Sequence, residues 1–124
     1  MGGVPSFRAG TDPRIGQESQ KTLYHYTDEA GRAGIDAAGQ INPGVQSGKV
    51  FLSPTEYADP LTAQSELALP RTPTAGYYEI PESRLPGLTD PTTVTPNYGQ
   101  LGGGLECSVT CSVDMTGIKF IPWP

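Results

Sequence analysis

Short runs of β-favouring residues, separated by turns, recur along most of the chain. The first run is Thr22-Leu23-Tyr24-His25-Tyr26, whose alternation puts Leu23 and His25 on one face and the two tyrosines on the other. Further runs lie at residues 49–53, 76–80, 105–113 and 118–121, each bounded by glycine, proline or polar residues. The pattern therefore predicts a chain built on short strands.

The segment after the first strand carries helix signals. Asp28 and Glu29 provide the negative charge that a helix N-terminus favours, with Thr27 as the predicted cap and Gly39 as the stop. Small residues recur along this segment, which predicts close packing of one helix face against a sheet. These residues are Ala30, Ala33, Gly34, Ala37 and Ala38.

A second helix is predicted from Asp59, its N-cap, and Pro60, at the first helical position, to about Leu69. Residues 1–20 mix glycine, proline, serine and charges without a period, so we interpret them as a linker or flexible arm. The domain itself is predicted to span residues 21–124. Short strands with two short helices indicate an α+β fold with a pair of small, mostly antiparallel sheets.

Composition narrows the possible partners. The formal net charge is -5, and only eight lysine and arginine residues are spread along 124 residues, which argues against binding to a nucleic-acid backbone. No apolar run approaches the length of a membrane span. Two cysteines and one histidine fall short of a structural zinc set, so Cys107 and Cys111 are predicted to be buried, reduced and inert, and no metal is expected.

The candidate chemistry centres on two residues. His25 is the single histidine, but no G-x-S-x-G elbow accompanies it and Cys107 lacks an activating helix end, so a covalent acyl intermediate is not predicted. The run Gly102-Gly103-Gly104-Leu105-Glu106 delivers one carboxylate to the start of a strand. Because glycine permits positive φ and close approach to a ligand, this run is either a plain turn or the hinge of a catalytic loop.

Taken in order, these elements resemble a known enzyme family. The set is the Tyr-His-Tyr-Thr segment, the A-G-x-x-G-I pattern at residues 30–35, the aromatic-x-Ser strand end at Phe51-Leu52-Ser53, and the glycine-led Glu106. It resembles the mono-ADP-ribosyltransferases, in particular the tips of bacterial Rhs-type polymorphic toxins, over roughly residues 21–121. The resemblance implies two small sheets with NAD⁺ held in a cleft between them.

The resemblance also assigns roles by position. Glu106 matches the catalytic glutamate, His25 matches the ribose-binding histidine, and Ser53 falls where a related branch has its strand-end serine. Tyr26 and Thr27 of the same segment are the other residues placed at the cofactor. Independently of the resemblance, NAD⁺ binding requires an aromatic face for nicotinamide, for which Phe51, Tyr57 and Tyr78 compete. Gly104 stands where arginine-modifying members usually carry Glu or Gln, so arginine is not implied as the acceptor.

Three functional hypotheses remain. The first is a toxin domain that cleaves the nicotinamide–ribose bond of NAD⁺ and transfers ADP-ribose to a protein of a target bacterium, elongation factor Tu being one candidate. It implies delivery by a secretion system within a larger protein, action in the target cytoplasm and a cognate immunity protein. The second is an NAD⁺ glycohydrolase with water as acceptor. The third is a non-catalytic, β-rich interaction domain.

Overall fold

The computed structural model describes residues 21–124 and confirms the predicted α+β class, with two helices and small antiparallel sheets. Two small sheets were predicted, and the structure has three, because one two-stranded ladder pairs with neither of the larger sheets. The strands are β1 (Thr22–Thr27), β2 (Gln40–Ile41), β3 (Val50–Leu52), β4 (Gly76–Pro81), β5 (Thr92–Thr93), β6 (Leu105–Val109), β7 (Val113–Asp114) and β8 (Lys119–Pro122). The helices are α1 (Glu29–Ala38) and α2 (Pro60–Leu67), with a 3₁₀ turn at Glu82–Arg84.

Two three-stranded sheets meet at one pair of residues. The first sheet has the order β1-β4-β8 and the second β3-β6-β5, while β2 pairs only with β7. Tyr24 of β1 and Ser53, just after β3, exchange both backbone hydrogen bonds, at 2.8 and 2.9 Å. This bridge joins the edges of the two sheets and fixes how the first strand lies against the third.

Helix α1 differs from its prediction in its cap and its packing. Asp28, not Thr27, is the N-cap, and its carboxylate accepts a 2.8 Å hydrogen bond from Gly31 N–H. Gly39 ends the helix as predicted, in the left-handed region at φ 72°. No residue of the helix is buried, so the predicted close packing of the small-residue face is wrong. Alanine and glycine offer little apolar surface to bury, and this face lies toward solvent.

Helix α2 follows its sequence signals more closely. Asp59 accepts a hydrogen bond from Thr62 N–H, and Pro60 is the first residue of the helix, as predicted. The helix ends at Leu67 because Ala68 takes the left-handed conformation at φ 51°, so it is shorter than predicted. Ala63 and Leu67 are its buried residues and attach it to the aromatic side of the core.

The long run at residues 105–113 is not one strand. It breaks after Val109 and resumes at Val113, which pairs with Ile41 in the small ladder. Ile41 is therefore a strand residue and is buried. The break leaves Cys111 exposed, so the prediction of two buried cysteines holds for Cys107 alone; both thiols are free.

The hydrophobic interior has two parts, with β1 between them. An aliphatic cluster includes Leu23, Ile80 and Val109, and an aromatic cluster includes Tyr26 and Tyr77. Because alternate side chains of a strand point to opposite faces, β1 contributes to both clusters, as its alternation predicted. Within residues 21–124, neither helix has the length and hydrophobicity needed to cross a bilayer.

Candidate active site

A cleft of about 330 Å³ opens where the edges of the two larger sheets meet. His25 from β1, Phe51 from β3 and Glu106 from β6 all line it. Its lining is mostly apolar with a few polar groups, which is the usual composition of a small-molecule site. The structure thus brings together the two residues that dominated the sequence-based chemistry.

His25 is held in one tautomer by the backbone. Its Nδ1 lies 2.9 Å from the carbonyl oxygen of Phe51, and since a carbonyl only accepts, Nδ1 carries the hydrogen. Burial lowers the pKa of His25 below its ordinary value, against the smaller effect of that hydrogen bond. The ring is therefore neutral at physiological pH, and Nε2 is left as a hydrogen-bond acceptor for a hydroxyl group.

Glu106 is the second residue of β6, opposite Thr92 of β5, and is partly buried. Burial raises the pKa of the Glu106 carboxyl above its ordinary value, and the positive charge of Lys49 opposes that rise. Among residues 21–124 no lysine or arginine forms an ion pair with Glu106. A carboxylate that burial makes more basic, beside a cleft, is a group suited to stabilising developing positive charge.

The glycine run before Glu106 is clamped by backbone hydrogen bonds. Gly102 N–H donates to the carbonyl of Ser65 at 2.8 Å and Gly104 N–H to that of Glu66 at 3.0 Å, both in the last turn of α2. Gly103 N–H donates to the Val94 carbonyl at 2.9 Å. These bonds also satisfy helix carbonyls that would otherwise lack a partner. The run is thus a fixed support for Glu106, not a free hinge.

Two of the three glycines are also required by space. Gly102 has φ 72°, and a Cβ there would lie 2.5 Å from the carbonyl oxygen of Val94. A Cβ on Gly104 would meet the hydroxyl of Tyr57 and would lie 3.0 Å from the Glu66 carbonyl oxygen. The close approach that the sequence suggested exists, but it is to helix α2 and its surroundings.

Ser53 reaches the cleft only as a structural residue. It is fully buried, and its hydroxyl donates to the Leu105 carbonyl at 2.8 Å while accepting from Thr55 N–H at 3.1 Å. These bonds tie the end of β3 to the residue before Glu106. The hydroxyl hydrogen is committed, so Ser53 has no donor left for a ribose while this arrangement holds.

Of the three aromatic residues predicted to compete for nicotinamide, only Phe51 lines the cleft. Its ring is 41% exposed, which leaves a face open to a ligand. Tyr78 lies in the aliphatic core, where its hydroxyl donates to Asp36 at 2.9 Å. Tyr57 lies in the aromatic core under Gly104, with no hydrogen-bond partner for its hydroxyl among residues 21–124.

The other two residues of the Tyr-His-Tyr-Thr segment assigned to NAD⁺ binding are Tyr26 and Thr27, and their contacts are structural. Tyr26 lines it, but its hydroxyl donates to the Thr55 carbonyl and accepts from Tyr57 N–H, both at 2.7 Å. Thr27 faces the first turn of α1 beside Gly31 and lines a separate shallow surface. Their hydrogen bonds hold the chain around His25 in place.

Sequence reasoning missed three polar residues of the cleft, Asn42, Ser47 and Lys49. Lys49 directly precedes β3, and Asn42 directly follows β2. Their positions next to strands were the only available signal. All three are exposed residues of the loop between β2 and β3, and nothing in the local sequence marked them as part of a site.

A second cavity adjoins the cleft and shares Phe51 and Glu106 with it. Its other wall is formed by the end of α2 and by the turn at residues 97–100, where Tyr98 is 62% exposed. Glu106 therefore lines both concave surfaces.

Comparison of the chain with protein-family models, with curated proteins and with solved structures gave no match. Within residues 21–124, no group of three or more histidine, cysteine, aspartate or glutamate side chains has the arrangement of a metal site.

Proposed function

We propose that this domain is an NAD⁺-consuming mono-ADP-ribosyltransferase. The observation that carries the proposal is that His25 and Glu106, from the first and a late strand, line one cleft together with an exposed aromatic ring. This is the set of groups that the chemistry needs: a carboxylate, a ribose-binding acceptor and an aromatic face.

Glu106 is assigned the catalytic role. Cleavage of the bond between nicotinamide and ribose passes through an oxocarbenium-like state, as in glycoside hydrolysis, and a carboxylate beside the anomeric carbon stabilises it. The raised basicity of Glu106 also suits it to accept a hydrogen bond from the ribose 2′-hydroxyl. The rigid glycine run supports this role, since a preorganised charge costs no rearrangement when the bond breaks.

His25 and Phe51 are assigned to substrate binding. The Nε2 atom of the neutral imidazole accepts from a ribose hydroxyl, while Nδ1 stays bonded to the Phe51 carbonyl. The Phe51 ring, on β3, offers a face on which the nicotinamide ring stacks. A single backbone contact thereby couples the position of the ribose group to that of the aromatic platform.

The second cavity favours transfer to another molecule over hydrolysis. Because Glu106 and Phe51 border both concave surfaces, an acceptor side chain can approach the ribose from the side opposite the dinucleotide. The turn that carries Tyr98 then belongs to the acceptor side. The glycohydrolase activity remains the alternative, with water entering where we place the acceptor.

Incubation with labelled NAD⁺, with and without a bacterial lysate, tests the proposal. We expect the wild-type protein to label a lysate protein, and Glu106→Gln to lose about 10²–10³-fold in rate with little loss of NAD⁺ affinity. Glu82→Gln, which removes the same charge in the 3₁₀ turn outside the cleft, is the matched control and should retain full activity.

Each outcome selects one hypothesis. Free ADP-ribose without labelled protein indicates the glycohydrolase. Neither product, from a folded protein in a range of lysates, indicates a non-catalytic interaction domain. Labelling that Glu106→Gln leaves intact contradicts the proposed site.

A toxin role is also proposed, and the same variants test it. Expression of the wild-type domain in bacterial cytosol should stop growth, whereas Glu106→Gln should be tolerated at equal abundance. A bacterial protein, such as elongation factor Tu, is the proposed acceptor, and a cognate immunity protein should restore growth. Delivery within a larger secreted protein and action in the target cytoplasm follow from this role and are proposed with it.

A further inference from the structure

We infer that Lys49 and Asn42 bind the diphosphate of the dinucleotide in this cleft. This inference rests on the proposed function, and it concerns two residues to which the resemblance assigns no role. Both residues line the cleft beside Gly44 and Ser47, on the loop that leads into β3.

Lys49 brings positive charge to a site on an acidic protein. Among residues 21–124 it is the only lysine or arginine lining the cleft, and it forms no ion pair there. Arg32, which pairs with Asp36, and Arg71, which pairs with Asp28, do not line the cleft. An unpaired ammonium group beside an apolar cavity favours an anionic ligand, and phosphate is an anion that lysine commonly binds.

Asn42 adds a neutral donor to the lining of the same cleft. Its Oδ1 accepts from Gln40 Nε2 at 2.6 Å and from Ser112 Oγ at 2.9 Å, so the amide oxygen is fully occupied. These two bonds orient the side chain and leave the Nδ2 hydrogens to donate. Phosphate oxygens only accept, so a diphosphate suits an oriented amide donor and an ammonium group together.

The loop that carries these groups is ordered by its own hydrogen bonds. Gly44 N–H donates to the Lys49 carbonyl at 3.0 Å, Gly48 N–H to the Gly44 carbonyl at 2.8 Å, and Lys49 N–H to Ser47 Oγ at 3.1 Å. The backbone of Lys49 is therefore positioned without a ligand. Preorganisation of this kind lowers the entropy cost of binding.

Phe51, His25 and Glu106 line the same cleft as Lys49 and Asn42, and the charge of Lys49 acts on the pKa of the Glu106 carboxyl. The proposed arrangement puts the glycosidic bond beside Glu106 and the two phosphates beside Lys49 and Asn42. Specificity for the dinucleotide over a simple nicotinamide riboside then arises from Lys49 and Asn42.

Calorimetric binding of two probes to the full chain tests the inference: ADP-ribose, which carries the diphosphate, and nicotinamide riboside, which carries no phosphate. Lys49→Gln should weaken ADP-ribose binding about 10- to 100-fold, as expected for a lost charge-assisted hydrogen bond, and change riboside binding less than about twofold. Asn42→Asp, which keeps the shape but replaces the donor by a negative charge, should weaken ADP-ribose in the same selective way. Lys119→Gln, an exposed lysine of β8 outside the cleft, should bind both probes like the wild type.

Three results would overturn the inference. Equal ADP-ribose affinity in wild type and Lys49→Gln removes the phosphate contact. Equal weakening of both probes means that Lys49 acts only through the charge of Glu106. No ADP-ribose binding by the wild type removes the site itself. NAD⁺ cleavage by the wild type is measured separately and tests the proposed function. If NAD⁺ is cleaved but ADP-ribose binding does not depend on Lys49, this inference alone is rejected. If ADP-ribose binds but NAD⁺ is not cleaved, the proposed function alone is rejected.

Discussion

Glu106 occupies a place in the fold that disfavours its own charge. Burial raises the pKa of its carboxyl above 4.5, and the opposing charge of Lys49 is the smaller effect. Packing alone would be better served by a neutral residue, since a carboxylate there loses hydration without gaining an ion pair. Residues that reduce stability in this way are common at functional sites, because activity there outweighs stability.

This property leads to a pH-dependent prediction for Glu106→Gln. A folded-state pKa above the unfolded value means that the folded protein binds more protons, so the contribution of Glu106 to stability is present below pH 4.5 and lost as pH rises through the folded pKa. Relative to wild type, Glu106→Gln should therefore gain free energy of unfolding between about pH 4 and pH 7. Urea unfolding at both pH values measures it. A variant that becomes less stable toward pH 7 would show that Glu106 has a structural partner.

His25 allows a substitution that separates its two ring nitrogens. In His25→Asn the amide nitrogen replaces Nδ1 and can keep the bond to the Phe51 carbonyl, whereas the Nε2 acceptor is removed. We expect the fold to persist and KM for NAD⁺ to rise about 2- to 12-fold, the value of one net hydrogen bond. His25→Ala, which also loses the backbone anchor, should be less stable than His25→Asn. Unchanged KM in a folded His25→Asn would assign His25 to structure only.

The residue-level predictions differ in how much of each assignment the local sequence allows. His25 and Glu106 were proposed as site residues from strand position and a glycine run, which are local signals, and the structure places both in one cleft. The role of Ser53 depends on the carbonyl of Leu105, which is distant in sequence, so its hydroxyl could not be assigned to structure from the sequence. Which of Phe51, Tyr57 and Tyr78 lines the cleft likewise depends on which of these side chains the sheets bury in the core. That is not a local property of the sequence.

At the scale of elements, turn and cap chemistry was predicted best. Asp59 with Pro60, and Gly39, marked helix ends correctly because capping depends on near neighbours in sequence. The break between β6 and β7 was missed, since apolar alternation continues through it while the two halves pair with different partners. The exposure of α1 was missed because small residues permit close packing but do not require it.

The glycine run gives a graded stability prediction. A Cβ added at Gly103 would meet no atom within 4 Å. Gly103→Ala should therefore lose stability only through the positive φ, which costs about 1–2 kcal/mol. Gly102→Ala adds overlap with the Val94 carbonyl, for a total of about 2–5 kcal/mol. Gly48→Ala, at φ 67° with open space, is the control for the backbone effect alone. Denaturant unfolding of the three variants measures the order, and equal losses at Gly102 and Gly103 would contradict the clamped arrangement.

At the scale of the whole molecule, the cleft depends on elements distant in the chain. β1 supplies His25, the loop before β3 supplies Asn42 and Lys49, and β6 supplies Glu106. The α+β class was predictable because strand length and punctuation are local properties. The junction between the sheets was not, since it depends on the single Tyr24–Ser53 bridge, for which no short-range signal exists.

Because the cleft joins distant elements, its ligand should stabilise the fold as a unit. Glu106→Gln provides the test, since it should bind NAD⁺ without consuming it during a thermal scan. At a free concentration about 100 times Kd, binding to the folded state alone adds about 2.7 kcal/mol, which raises Tm by roughly 10 °C in a domain of this size. Nicotinamide alone, for which we propose a contact with Phe51 only, should give a much smaller rise at the same concentration. Absence of any NAD⁺-dependent shift up to millimolar concentration would mean that the cleft does not hold the dinucleotide, and the assignment of His25 and Glu106 to its chemistry would have to be withdrawn.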